Sequence, residues 1–363
     1  MEPYLFGPTG DYLRTFGPLQ QTLKAARVAM WTMHWQMRGL AAANPHLSDA
    51  ALTARFAEGS GVTGSDFGES FVRKDWPEVD SELSRVLLVD VVAHYEGFCE
   101  AIGRTLAEGP AGGDARTLAT QLQRPSVSGQ QLGISDVVKR VRAAGLERRW
   151  RTSVGSRMRA RGQVTQHLDD RMLVYRSFKE ARNAIAHSGG RATDRSVSAH
   201  AACAAVQAEA LDMKVLPQLP QSSLGARVEL TWYGVIGLAD MLRRTVLAVD
   251  GALSDTTTGS AELARRFRED PAARDEEFGG RVQWDAAGNW LVAQDDNDRR
   301  SIVRGVLGRL IGIQPGLDPE AVIPVLEEHG VLLRLPNRRS RRKVPPDGST
   351  LAAGTTSSED QEL

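Results

Sequence analysis

The sequence predicts a mainly α-helical protein: a helical bundle followed by a second, small and mostly helical unit carrying one short β-hairpin. Three observations predict it. Stretches such as 83–106 and 172–187 repeat apolar residues at helical spacing. Start and stop signals stand at their ends, from Asp75-Trp-Pro-Glu78 to Ser188-Gly189-Gly190. Strand-like residues are confined to 281–283 and 290–293, on either side of Asp-Ala-Ala-Gly-Asn. The chain of 363 residues suffices for two domains and a sizeable core.

Taken in order, residues 1–17 hold Pro and Gly and read as an irregular lead-in. Pro18–Leu40 reads as a helix whose Trp31, Met33, Trp35 and Met37 crowd more than one face, so burial on several sides is expected. His34, among them, reads as a packed core histidine. Residues 44–79 are rich in Gly, Ser and Asp and read as loops around a short helix at 49–57. Asp75 and Glu78 form a capping box with Pro77 in the first turn. The following helix buries Leu83, Val86, Leu87, Val91, Tyr95, Phe98 and Ile102 and ends at 109–113. Helices are expected near 116–123 and 135–150, then 172–187, then an alanine-rich helix at 196–214.

Pro217–Gly225 reads as a linker. Beyond it come an apolar helix at 227–249, the hairpin, and helices at 298–311 and 319–329. The expected organisation is an N-terminal region, 1–75, packing on a bundle, 76–216. An accessory unit follows at 225–335, then a disordered tail at 336–363 that is Arg-rich, then Gly/Ser/Thr-rich, then acidic.

Composition narrows the function. Formal net charge is zero, so nothing draws the whole chain to nucleic acid. Charge is nevertheless uneven: 139–195 holds fifteen Lys/Arg against five Asp/Glu, a net of +10. Within it Arg148, Arg149, Trp150, Arg151, Arg157, Arg161, Lys179 and Arg191 are candidate RNA contacts, Trp150 by stacking a base. The bland alternative is a solvated basic surface. Cys99 and Cys203 sit in apolar helical patterns and read as buried thiols. No Cys/His cluster has zinc spacing, and neither a metal nor a cofactor is expected. There is no signal-peptide pattern, and the most apolar run, 86–102, is broken by Asp90, His94, Glu96 and Glu100. A cytoplasmic protein without a membrane partner is the expectation.

The stretch with chemistry is Val174 to Gly190. Arg182, Asn183 and His187 fall near the end of an amphipathic helix, next to a glycine turn where a ring is both anchored and accessible. Asn183 and His187, four apart, lie on one face. Arg182 is about 140° round from His187 on an ideal helix. A histidine moves protons near neutrality, and an arginine fork fits a phosphate. Together they suit attack of a ribose 2′-hydroxyl on its own phosphodiester, with Asn183 orienting either group. Spacing alone is weak: Arg27–His34, Arg161–His167 and Arg195–His200 have similar gaps. Context selects Arg182, by the Asn that follows it and the Gly-Gly stop.

Arg182-Asn-Ala-Ile-Ala-His187 resembles the Arg-x4–6-His signature of the HEPN superfamily, and the helix at 83–106 resembles its first conserved helix. The resemblance covers 76–216. It implies a HEPN-like bundle that forms a homodimer, with two Arg/His pairs meeting in a composite cleft that cuts RNA without metal. Many such proteins are toxins or antiviral effectors, so an antitoxin or a neighbouring defence protein is an implied partner. One branch carries a modified Tyr two residues after the His; that position is Gly189 here. Glu96 is either an auxiliary group that positions RNA or His187, or a solvated charge. The competing reading is a non-catalytic helical RNA-binding, ligand-binding or scaffold module, in which Arg182 and His187 only cap or brace helices.

Overall fold

The fold is known from a computed structural model, which describes residues 4–110, 112–127, 132–145, 165, 167–221, 223–269, 282–284, 289–292, 296–311 and 319–334. It is mainly α, as the periodicity predicts. Helices α1 (Gly7–Ala43), α2 (Asp49–Ala57), α3 (Trp76–Glu108), α4 (Ala115–Gln121) and α5 (Ile134–Ala144) lead to α6 (Leu168–His187) and α7 (Asp194–Ala202). Then come α8 (Trp232–Leu253), α9 (Thr257–Glu269), α10 (Asp296–Ile311) and α11 (Ile323–Glu328). Three-residue strands β1 (Val282–Trp284), β2 (Trp290–Val292) and β3 (Leu332–Arg334) form one small sheet.

Helix α3 organises the bundle. Its capping box is complete: Asp75 accepts from the Glu78 amide at 2.9 Å, and Glu78 accepts from the Asp75 amide at 3.0 Å. Leu87, Leu88, Val91, Val92, Tyr95, Phe98, Cys99, Ile102 and Leu106 bury one broad face, while Val86, expected inside, falls on the opposite side and is 65% exposed; the helix packs against α1, α4, α6 and α8. Gly103 lets α4 close in; a Cβ there would lie 2.9 Å from the Ala115 carbonyl oxygen. The buried Tyr95 hydroxyl donates to the Leu122 carbonyl at 3.0 Å, which satisfies a polar group inside an apolar core.

The second organising helix, α8, is buried nearly all round through Val235, Leu238, Met241, Leu242, Val246, Val249 and Leu253. One continuous hydrophobic cluster runs from Leu5 through α3, α6 and α8 to Leu332. The core therefore does not divide at 217–225, where a linker was expected. That segment is tied down instead: Ala192 N–H donates to Ala226 at 2.8 Å, Gly225 N–H to Ala192 at 2.9 Å, and Val228 N–H to Gly190 at 2.9 Å. Apolarity explains the difference, because a helix as uniformly apolar as α8 must be surrounded by protein.

At the N-terminus, the expected irregular lead-in is helical from Gly7, with Pro8 in the first turn and Pro18 inside the helix. Its start is held from afar. The Asp250 carboxylate, at the far end of α8, accepts the Leu5 and Phe6 amides at 2.9 Å each, and Arg266 donates to the Tyr4 and Leu5 carbonyls at 3.0 Å each. The second half of α1 is not buried on several sides. Met37, with Met30, Met33 and Leu40, faces a small separate cluster formed with Leu52 and Phe71, while Val28, Trp31 and Trp35 are half-exposed or more. Helix α2 spans the expected residues, with Ser48 as its cap.

Several ends differ from the pattern. Helix α5 stops before Gly145, and the basic residues Arg148, Arg149, Trp150, Arg151, Arg157 and Arg161 lie outside the described residues, as do the Arg161–His167 gap and the tail. The alanine-rich segment is helical only to Ala202; turns follow, then a 3-10 turn at Glu209–Leu211. The hairpin forms as expected, with Val282 opposite Val292 and Trp284 opposite Trp290. Strand β3 then pairs parallel with β2, Trp290 opposite Leu332. Cys99 and Cys203 are both buried and free.

Candidate functional site

Helix α6 lies antiparallel along α3, and the pairing sets out the candidate residues in sequence. Tyr95 meets Tyr175 edge-on, with ring centres 4.9 Å apart. One turn along α6, Lys179 Nζ lies 2.7 Å from Glu96 Oε1, and Arg182 Nη2 lies 2.5 Å from Glu96 Oε2. Lys179 also donates to Gln123 Oε1 at 2.6 Å. Glu96 is thus no free solvated charge. One carboxylate is shared by two cations, so the trio itself carries one net positive charge. Arg182 is mostly buried, and its Nε has no hydrogen-bond partner.

His187 occupies the last turn of α6 and is exposed; among the described residues no hydrogen bond holds its ring. Asn183, one turn back on the same face, donates to Glu180 Oε2 at 3.4 Å and not to His187. Gly189 and Gly190 adopt positive φ of 59° and 75°, which lets the Gly190 amide return to the Ala184 carbonyl at 3.0 Å and end the helix. The chain then pairs Arg191 with Arg227 as antiparallel neighbours, and Arg191 Nη1 donates to the Gly225 carbonyl at 3.0 Å.

Two guanidiniums that sequence reasoning missed stand beside this turn. Arg85, on α3, donates to the Val228 carbonyl at 3.0 Å, and its Nη1 lies 3.8 Å from where a Cβ on Gly190 would sit. Arg227 arrives from the segment paired with 190–192. Both line a cleft of about 550 Å³ between the start of α3 and residues 218–231. No local motif marks them; they come together only through contacts between distant segments.

Neither Arg27–His34 nor Arg195–His200 forms a site of this kind. Arg27 is bound to Asp80 at 2.7 Å and stacks over Trp76, Trp232 and Tyr233. His34 is fully buried between Trp35 and Trp76, and burial holds its pKa below the ordinary histidine value. Arg195 and His200 share α7, away from α3. Among the described residues, no group of three or more His, Cys, Asp or Glu is placed to hold a metal ion, and no helix is long and apolar enough to cross a membrane. Comparison with known proteins returns no matching family model, no matching curated protein and no matching solved structure.

Proposed function

We propose that the protein is an endoribonuclease that cuts RNA by 2′-hydroxyl attack, without a metal, as a toxin or antiphage effector of the HEPN type. The observation that carries this reading is the exposed His187 at the end of α6, on the same helix as an Arg182 preset by Glu96. His187 takes the 2′-hydroxyl proton, the 2′-oxygen attacks phosphorus, and the 5′-oxygen leaves with a proton. The products are a 2′,3′-cyclic phosphate and a 5′-hydroxyl. Arg182, with Lys179 sharing its carboxylate, offsets the charge that develops on the phosphate oxygens. The acid is the same histidine of a second copy, which makes the active species a homodimer.

A second reading has its own support. The Arg182–Glu96–Lys179 cluster ties α6 to α3, which is what a bracing pair in a non-catalytic helical module would do. The test is cleavage of a mixed RNA pool by wild type, Arg182→Ala and His187→Ala, with and without EDTA. The nuclease reading expects cyclic-phosphate ends from wild type alone, unaffected by EDTA. Equal products from all three, or strict dependence on magnesium, would overturn it.

A further inference from the structure

The cleft between the start of α3 and residues 218–231 has an unusual charge arrangement. It is lined by five carboxylates, yet four are committed elsewhere. Asp75 and Glu78 accept each other's amides in the capping box. Asp80 holds Arg27. Lys74 Nζ sits 2.8 and 2.9 Å from the two Glu82 oxygens. Glu229 is exposed, and among the described residues it has no cation within pairing distance, nor do Asp75 and Glu78, whose partners are backbone amides. Against these stand Arg85 and Arg227. Among the described residues no carboxylate lies within ion-pair distance of Arg85, though Glu82 is near enough to act on its charge, and its Nε is buried without a hydrogen bond. Arg227 is 65% exposed, and its nearest carboxylate is the Glu82 already held by Lys74, at 3.9 Å. Burial and the neighbouring Arg227 charge both pull the Arg85 guanidinium below its usual range. Two like charges held together with spare donors favour a shared anion.

The rest of the lining suits what such an anion would carry. Trp76, Pro77 and Leu219 give an apolar wall, and the Gln218 side chain is oriented by its oxygen, which accepts from Thr231 at 2.9 Å. A volume of about 550 Å³ is within the range of small-ligand sites. Arg85 also touches the turn at Gly190, three residues beyond His187. We propose that this cleft holds one unpaired nucleotide of the RNA substrate, its phosphate between Arg85 and Arg227 and its base against the Trp76 wall. The inference rests on the ribonuclease reading for its substrate, and it extends the site from the scissile phosphate to a neighbouring residue of the strand.

The test uses the full chain and two probes. The first is a 2′-O-methyl oligoribonucleotide, which lacks the nucleophile, titrated by fluorescence anisotropy. The second is adenosine 5′-monophosphate against adenosine, read as a thermal shift. Arg227→Glu is the main variant because its side chain is exposed; Lys24→Glu makes the same charge change on the outer face of α1. The expected result is at least a tenfold loss of oligonucleotide affinity in Arg227→Glu, with a shallower salt dependence, and none in Lys24→Glu. The monophosphate should raise the melting temperature of wild type and Lys24→Glu only, and adenosine should raise none. In cleavage, KM should rise in Arg227→Glu while kcat holds. Wild-type monophosphate and oligonucleotide binding in Arg227→Glu would overturn the cleft even if cleavage is seen. Arg227-dependent binding without any cleavage would keep the cleft and remove the nuclease.

Discussion

Arg182 and Glu96 meet at 2.5 Å across two antiparallel helices, and Lys179 occupies the other carboxylate oxygen at 2.7 Å. This arrangement fixes a guanidinium that a bare helix surface would leave free to sample many rotamers. It also sets a competition, because any phosphate must share Arg182 with Glu96. Replacing Glu96 by Gln removes the acceptor charge and leaves two neighbouring cations. Because all three side chains are partly exposed, the expected loss of stability is modest, about 1 kcal/mol, read by denaturant unfolding. In cleavage, a freed Arg182 should hold RNA more tightly but less well placed, so KM falls and kcat falls further. A rise in kcat would mean that Glu96 restrains the site and does not position it.

His187 separates the two functional readings through stability as well as activity. It is exposed and ends a helix whose carbonyls are already served by the glycine turn. His187→Ala should therefore change stability by less than about 0.5 kcal/mol. The same variant should lose at least about a hundredfold in RNA cleavage, the usual scale for a positioned proton-transfer group. A large drop in melting temperature would instead assign His187 to bracing.

Asp250 gives the fold a pH dependence. Burial pushes its pKa up to about 6, against the opposing pull of the Leu5 and Phe6 amides, Thr9 and Arg266. Its value in the unfolded chain is lower, so the folded state binds the proton more tightly. The associated stabilisation is therefore complete below the unfolded value and is lost as pH rises through about 6. Wild type should lose stability between about pH 4 and 6 relative to Asp250→Asn, by no more than about 1.4 kcal/mol per pH unit. Parallel stability profiles for the two proteins would show that the carboxylate is already ionised when folded. Asp250→Asn should also loosen residues 4–9, since an amide oxygen replaces two acceptors with one; faster hydrogen exchange at the start of α1 is the readout.

What could be read in the sequence was what is local. The capping box at Asp75 and Glu78, the helix over 49–57, the hairpin pairing and the end of α6 all depend on residues within a few positions of one another. The start of α1 could not be read, because the groups that order Leu5 and Phe6 come from Asp250 and Arg266. Strand β3 was hidden for the same reason, since its parallel partner lies about forty residues earlier. At the site, Arg182 and His187 share one helix and were legible by chemistry and spacing. Glu96 was nameable only as an alternative, and Arg85 and Arg227 not at all, because the pairing of 190–192 with 225–228 brings them together.

The place of α8 leads to the last prediction. Had the core ended near residue 216, a chain of residues 1–216 would fold alone. Instead Trp232, Val235, Leu238, Met241, Leu242, Val246, Val249 and Leu253 are buried in the same cluster as α3 and α6. At about 1.5 kcal/mol for each large apolar side chain, these eight contribute on the order of 12 kcal/mol. That is comparable with the whole stability margin of a typical globular protein. Without α8, the inner faces of α3, α5 and α6 would meet water, and the Asp250 anchor for α1 would be gone. A chain ending at Leu216 should therefore show broad, non-cooperative unfolding, bind a hydrophobic dye and aggregate, whereas one ending at Arg334 should melt cooperatively. Cooperative melting of the shorter chain, with its helix content intact, would show that the bundle is an independent unit and that α8 only covers it.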